Sequence, residues 1–160
     1  MKKGFISILA LLALLALSLT ITFIYQQNLN TSQYSKDLYN KKKAQYLAES
    51  VLNVYIEENS KEITDFIIND YKEKKDISNR NTETLKENLN LNYEDNKYYL
   101  KLAYIKRNDN FPTINNLYML SSKNTQIGQS KAIGEIYFKV FENNEKEDDY
   151  KIEIAFRRTY

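Results

Sequence analysis

The carboxylates best placed to bind a cation lie near the end of the chain. They are Glu142, Glu145, Glu147, Asp148 and Asp149, and oxygen ligands of this kind are the ones that Ca²⁺ prefers. The segment lacks the glycine and the alternating spacing of an EF-hand calcium loop. A solvated hairpin loop over residues 142–149 is therefore favoured over a calcium site.

Catalytic side chains are scarce, because the 160-residue chain contains no histidine and no cysteine. This excludes disulfides, thiol catalysis, Cys/His zinc sites and any triad that needs histidine. Three glycines and one proline are too few for a glycine-rich phosphate loop. No pair of carboxylates stands out as an acid–base couple. We therefore expect a protein that is not an enzyme and that needs no cofactor and no resident metal.

The overall charge gives no indication of a nucleic-acid partner. Lysine and arginine number 23 and aspartate and glutamate 21, which leaves a net charge of +2. This near balance argues against a strongly basic nucleic-acid binder. Lys41, Lys42 and Lys43 could contact lipid headgroups, but they follow Tyr25 by about 24 Å of helix. A solvated helix face is the favoured interpretation of these lysines.

Tyrosine is abundant, with 14 residues, and two explanations are open. A tyrosine-rich surface would suit adhesion or sugar binding. Tyrosine is also common in strands, where several of these residues would fall at core positions. Core packing is the favoured explanation.

The elements that position these groups begin with an apolar segment at the amino terminus. Residues 4–35 contain no charged side chain, and residues 5–25 include seven Leu, four Ile, two Phe and three Ala. A helix of 21 residues spans about 32 Å, close to the hydrocarbon thickness of a bilayer. Thirteen strongly apolar side chains contribute about −4 to −8 kcal/mol to insertion. The segment therefore predicts a single membrane-spanning helix.

A cleaved signal peptide is the alternative for this segment. The sequence Ala16-Leu17-Ser18 resembles a cleavage site. However, the apolar run continues to Tyr25, where a polar region would be expected to begin, so removal is disfavoured. Lys2 and Lys3 lie directly at the membrane boundary and favour an orientation with the amino terminus inside and the rest outside. On the other side, Lys36, Lys41, Lys42 and Lys43 also fall within the range where charge bias counts, so charge alone leaves the orientation open.

Beyond the apolar segment the helical pattern continues. Ala44, Leu47, Ala48, Val51, Leu52 and Tyr55 follow the i, i+3, i+4 spacing of an amphipathic helix, and Ile63, Phe66, Ile67 and Tyr71 extend this stripe. No proline or glycine interrupts residues 5–111, so one long helix can run from the membrane into water. Its end is expected in the polar stretch of residues 72–80. A short helix over residues 82–89 is expected to follow.

After about residue 90 the apolar period changes to two, which indicates half-buried antiparallel strands. The alternating sets include Tyr98, Leu100, Leu102 and Tyr104, then Ile136, Phe138 and Val140, and finally Tyr150, Ile152, Ile154 and Phe156. A sheet of three to five strands needs a cover for its apolar face, and the amphipathic helix is the available partner. The prediction is an α+β fold with a long amino-terminal helix packed on a small antiparallel sheet.

The first residues carry a family resemblance. Met1-Lys2-Lys3-Gly4-Phe5, followed directly by the apolar helix, resembles the leader of type IV prepilins. The resemblance implies cleavage by a prepilin peptidase between Gly4 and Phe5, N-methylation of Phe5, and a cytoplasmic position for Lys2 and Lys3. The stretch of residues 44–52 also resembles the small-and-acidic helix segment of PilX-type minor pilins and related tip pseudopilins.

One residue departs from the pattern of the major pilins. These carry Glu at the fifth position after cleavage, where this chain has Leu9, and its first acidic residue is Asp37. In the family, that Glu is thought to neutralise the amino-terminal ammonium of a neighbouring subunit, since an unpaired charge is costly in an apolar filament core. The departure favours a minor pilin or pseudopilin over a major pilin.

The resemblance implies a division of the chain and a set of partners. Residues 1–4 are the prepilin leader, 5–25 the transmembrane half of the helix, 26–75 its exposed amphipathic half, and 76–160 the α+β head. The expected partners are other pilin subunits, the prepilin peptidase, the assembly machinery and the cytoplasmic membrane. The chain would initiate or cap a type IV pilus or secretion pseudopilus at the bacterial surface. A single-pass anchored extracytoplasmic binding protein that does not polymerise is the alternative.

Overall fold

In the part of the chain that the structure describes, one helix, α1 (Lys2–Lys74), is followed by seven strands. The strands are β1 (Glu83–Tyr93), β2 (Asn96–Ile105), β3 (Leu117–Lys123), β4 (Thr125–Ile127), β5 (Ser130–Ala132), β6 (Gly134–Glu142) and β7 (Tyr150–Thr159). The computed structural model describes residues 2–74, 82–105, 117–123, 125–142 and 150–160, without the side chains of residues 2–4, 74 and 142. The chain divides into two compact units, residues 1–39 and 40–160.

The strands form two antiparallel sheets within the second unit. The larger sheet has five strands in the order β1-β2-β3-β6-β7, and β4 pairs with β5 in a two-stranded sheet. Within the larger sheet, Leu102 pairs with Leu120 and Leu120 with Ile136, which aligns apolar side chains on one face. The α+β fold with a small antiparallel sheet is therefore as predicted.

The core lies between one face of the large sheet and the second half of α1. Val51, Leu52, Tyr55, Ile63 and Ile67 of the helix are buried. They form one cluster with sheet residues that include Leu89, Leu91, Leu100, Leu102, Tyr104, Tyr118, Leu120, Ile136 and Phe138. The i, i+3, i+4 stripe thus covers the apolar face that the strands present. Tyr71 is 46% exposed, so the buried stripe stops short of this residue, contrary to the sequence pattern.

A kink interrupts α1 at Asn59, whose φ of −118° and ψ of 17° are not helical. The Asn59 amide Nδ2 donates to the Tyr55 carbonyl oxygen at 3.1 Å. This side-chain hydrogen bond stabilises the non-helical backbone at Asn59. Asparagine side chains commonly bond the backbone where a helix is interrupted. The kink falls in the gap between Tyr55 and Ile63, where the apolar stripe is itself interrupted.

The predicted short helix over residues 82–89 is wrong, because this segment begins β1. Leu89 and Leu91 are buried and pair with Leu100 and Tyr98 of β2. Register shifts near Thr84, Lys86 and Leu89, together with a φ of 60° at Asn88, break the two-residue period of the strand. Because of these irregularities the local sequence pattern did not reveal the strand, and pairing with β2 determined its structure.

A second correction concerns Phe156. The sequence pattern placed it on the same face as Ile154, but the strand pairing shifts register between Tyr137 and Phe138, which pair with Phe156 and Ile154 respectively. Directly paired residues share a face and consecutive residues alternate. Phe156 therefore lies on the opposite face from Ile154 and stacks on Tyr137 with ring centroids 4.3 Å apart.

Candidate membrane-spanning helix

The first half of α1 presents an exposed apolar surface. Every side chain from Phe5 to Tyr39 is exposed, and this part of the helix is long and apolar enough to cross a membrane. A contiguous exposed apolar surface of this size is unfavourable in water. Lipid or other apolar helices are the environments that would cover it.

The two threonine hydroxyls within the apolar segment are satisfied by the helix itself. Thr20 Oγ1 donates to the Ala16 carbonyl oxygen and Thr22 Oγ1 donates to the Ser18 carbonyl oxygen, each at 2.9 Å. Bonds of this type remove most of the cost of placing a hydroxyl in hydrocarbon. Both threonine hydroxyls therefore have an acceptor one turn earlier in the helix.

The residues predicted to direct processing lie at the start of α1. Lys2, Lys3, Gly4 and Phe5 are all within the helix, and the Phe5 side chain is 67% exposed. Leu9, one turn further on, is 51% exposed. The structure thus places the predicted cleavage bond directly before the exposed apolar surface. Cleavage, methylation and membrane orientation stay predictions.

In the second unit, α1 comes unusually close to β6. Gly134 lies beneath the helix, and a Cβ added there would be 2.8 Å from Leu52 Cδ1 and 3.2 Å from the Ala48 carbonyl oxygen. The Gly134 amide donates to Ser122 Oγ at 2.9 Å. This approach requires a residue without a side chain.

The small β4–β5 sheet packs beside the same part of α1, and the sequence pattern did not predict it. Ala132 of β5 forms a buried cluster with Ala44 and Ala48 of the helix. Thr125 is fully buried, and its Oγ1 donates to the Ala132 carbonyl oxygen at 2.7 Å. At the turn between the strands, Gly128 adopts a φ of 59° and lies beside Asn40. Three-residue strands carry too little periodicity to be predicted.

A cleft of about 290 Å³ lies between α1 and β7 and includes one of the candidate lipid-contacting lysines, Lys42. Arg157 and Thr159 line its other side, and Thr159 Oγ1 donates to Glu49 Oε1 at 2.7 Å. Lys41, Lys42 and Lys43 are exposed, and their assignment to a solvated face stays a prediction. The Glu49–Thr159 bond connects the last strand directly to the helix.

The sheet face opposite the helix carries a hydrogen-bonded network around Glu135. The Tyr137 phenol donates to Glu135 Oε2 at 2.9 Å, and the Tyr160 phenol donates to Glu135 Oε1. Burial, followed by this hydrogen bond, raises the pKa of Tyr137 to about 12, and the hydrogen bond is the main cause of a raised pKa at Tyr160. Reciprocal backbone bonds between Ile133 and Tyr160, of 2.9 and 3.1 Å, hold the end of the chain against β6.

The tyrosines divide between core and surface, so the core-packing explanation is only partly right. Tyr55, Tyr104, Tyr118 and Tyr137 are buried. Exposed tyrosines are Tyr25, Tyr34, Tyr39, Tyr46, Tyr71, Tyr99 and Tyr160. The acidic loop of residues 142–149, for which a solvated hairpin was favoured over a calcium site, lies outside the described residues apart from the backbone of Glu142 at the end of β6.

The chain matches no protein-family model, no curated protein and no solved structure.

Proposed function

We propose that this chain is a minor pilin or pseudopilin, a structural subunit that initiates or caps a type IV pilus or a secretion pseudopilus. In this proposal, α1 anchors the subunit in the cytoplasmic membrane before assembly, with the head outside. The same helix then packs against helices of other subunits in the filament. Its role is helix packing and not catalysis.

The observation that carries the proposal is the contrast between the two halves of α1. Residues 5–39 are exposed along their whole length, whereas the stripe from Ala44 to Ile67 is buried on the sheet. A helix that were only a soluble core element would bury its most apolar part. A subunit that moves from a bilayer into a helical filament needs an apolar helix half that can contact lipid first and the helices of other subunits afterwards.

The amino-terminal residues give the proposal its processing step. Lys3-Gly4-Phe5 precedes the apolar surface, as in type IV prepilins, and peptidase cleavage would leave Phe5 as the new terminus. Removal of Lys2 and Lys3 changes the formal side-chain charge from +2 to 0, because 21 basic residues then balance 21 acidic ones. The mature helix would therefore begin without the lysines that hold the precursor at the cytoplasmic face.

Leu9 supports a minor role in the filament. A major pilin pairs a carboxylate at this position with the ammonium of the adjacent subunit, and Leu9 has no group that can do so. Repeating such a subunit would leave one uncompensated charge per copy in an apolar core, which is costly. A tip position, with no subunit beyond it, avoids this cost.

Fractionation of cells after mechanical shearing tests the proposal. A subunit of the filament is expected in the sheared surface fraction, at low abundance relative to the major pilin, and to vanish from that fraction when the assembly ATPase is deleted. Gly4→Val, which fills the small site before the cleaved bond, should retain the chain in the membrane. Exclusive recovery in the membrane, with or without the ATPase, would favour the anchored binding protein that does not polymerise.

A further inference from the structure

A polar groove of about 500 Å³ opens beside the hairpin of β1 and β2. Its lining comes from four strands and consists of Asn88, Asn96, Lys97, Tyr98, Tyr99, Lys123 and Gln126. Tyr99 and Lys123 are direct partners on adjacent strands, so their side chains share one face of the sheet. That face is opposite the buried one, because the next residue, Leu100, packs in the core.

The lining side chains combine amides, the Tyr99 phenol and ammonium groups, whereas the Tyr98 side chain packs against the core on the other face of the sheet. Among the described residues that line the groove, none carries a carboxylate. Asparagine and glutamine each offer a donor and an acceptor, and tyrosine hydroxyls offer both at one atom. The groove therefore presents a positive charge together with groups that can bond many hydroxyls.

The two lysines are held near the groove by contacts that leave their charge in place. Lys123 Nζ lies 3.5 Å from Asn88 Oδ1, and Lys97 Nζ lies 5.5 Å from the centre of the Tyr99 ring. An amide oxygen and an aromatic face attract an ammonium without neutralising it. A bound anion would supply the counter-charge.

Local backbone geometry fixes two of the amides. Asn96 Nδ2 donates to the Glu94 carbonyl oxygen at 2.8 Å, and Gln126 Nε2 donates to the Gly128 carbonyl oxygen at 2.7 Å. Positive φ values of 47° and 59° at Glu94 and Asp95 form the tight hairpin turn that holds Asn96 in place. Groups that are already oriented lose less entropy when a ligand binds.

We propose that this groove binds an acidic saccharide, with the sugar hydroxyls bonded by the amides and the Tyr99 phenol and its carboxylates or sulfates beside Lys97 and Lys123. The mixture of neutral polar groups with two cations matches a ligand that is both polyhydroxylated and anionic. This inference concerns the head alone and does not depend on whether the chain polymerises.

Two other anionic classes fit the groove less well. A single-stranded nucleic acid binds such grooves by stacking bases on open aromatic faces, but Lys97 lies over one face of Tyr99 and Tyr98 is half-buried. An acidic peptide would use the lysines, but it offers few of the hydroxyl groups that the amides and the Tyr99 phenol can bond. Both classes are included as competitors in the test.

Fluorescence anisotropy with the full chain in detergent micelles tests the proposal, using labelled hexagalacturonate as the probe. Binding is expected to weaken about two- to fivefold in Lys97→Gln and in Lys123→Gln, in keeping with exposed charge pairs. Lys151→Gln, an exposed lysine on β7, is the matched control and should bind as the unchanged chain does. Added salt should also weaken binding.

Four results would overturn the proposal. These are an absence of hexagalacturonate binding, equal binding of neutral maltohexaose, binding of hexaglutamate or of a dT hexamer at least as tight as that of the saccharide, and equal losses in the groove and control variants. Equal binding of maltohexaose would show that the lysines play no part. Tighter or equal binding of hexaglutamate or the dT hexamer would show that the occupant is a peptide or a nucleic acid. Equal losses in the groove and control variants would show that binding lies elsewhere. A preference for hexagalacturonate that the groove variants alone reduce supports it.

Discussion

Gly134 lies so close to Leu52 that a Cβ at position 134 would be 2.8 Å from Leu52 Cδ1. The same Cβ would be 3.2 Å from the Ala48 carbonyl oxygen, which cannot move without shifting α1. The contact therefore sets how closely the helix approaches β6, and it connects the long helix to the centre of the head.

Gly134→Ala should destabilise the head by about 1–3 kcal/mol, because the added methyl group overpacks a filled site. Urea unfolding of residues 26–160, which contain the whole core and omit the apolar segment, measures the loss. Leu52→Ala removes the closest atom, so this second substitution should cost less in the Gly134→Ala variant than in the chain that keeps Gly134. Strict additivity of the two changes would contradict the proposed contact.

Val51→Asp should cost more than about 3 kcal/mol, since the side chain at position 51 is fully buried in the core and a carboxylate there would have no cation to pair with. Asn53→Asp is the matched control, because Asn53 is exposed on the same helix and should change stability by less than about 0.5 kcal/mol. Both are measured by thermal unfolding followed by circular dichroism. Similar losses in the two variants would contradict the assignment of the helix face.

The buried helix face and most strands could be predicted from the sequence because apolar spacing alone determines them. Val51 and Leu52 follow the helical period, and Leu100 and Leu102 follow the strand period. The failures occur where pairing overrides a local pattern. Two features depend on partner strands: the register shift that places Phe156 on the other face, and the positive φ at Asn88. Neither could be predicted from local periodicity.

The candidate sites divide in the same way. The apolar segment and Lys3-Gly4-Phe5 are contiguous in sequence, so they could be recognised before any fold was known. The groove around Tyr99 could not, because Asn88 and Lys123 lie beside β2 only after β1 and β3 have paired with it, and Gln126 belongs to the separate β4–β5 sheet.

The stability of the head should fall at high pH partly because of Tyr137. Burial and the bond to Glu135 raise the pKa of this phenol to about 12, above the value of about 10 in an unfolded chain. The contribution of the protonated Tyr137 phenol to the free energy of unfolding is therefore fully present below about pH 10 and is lost as the pH rises through 12. The stability difference between the unchanged chain and Tyr137→Phe should shrink over that interval, as measured by urea unfolding. A difference that is constant from pH 9 to 12 would contradict the assignment.

Leu9→Glu tests the proposed position in the filament. At a tip, a carboxylate at position 9 would have no ammonium to neutralise and would lie in or near lipid before assembly. A charge at the centre of a membrane helix costs about 2.5–3.5 kcal/mol, and less near the interface. Filament number should stay the same or fall slightly, as counted by electron microscopy. Leu9→Gln controls for polarity without charge. Increased incorporation of the Leu9→Glu variant along the shaft would contradict the proposed tip position and favour an occasional position in the shaft.

The mature amino terminus is the most direct test of the central claim. Mass spectrometry of the membrane-extracted chain, from cells that contain a prepilin peptidase, should show a first residue of N-methylated Phe5 and the loss of residues 1–4. Gly4→Val should leave the full-length chain uncleaved. A chain that begins at Leu19 would instead establish conventional removal of a signal peptide, and the account of a pilin-like subunit would be wrong.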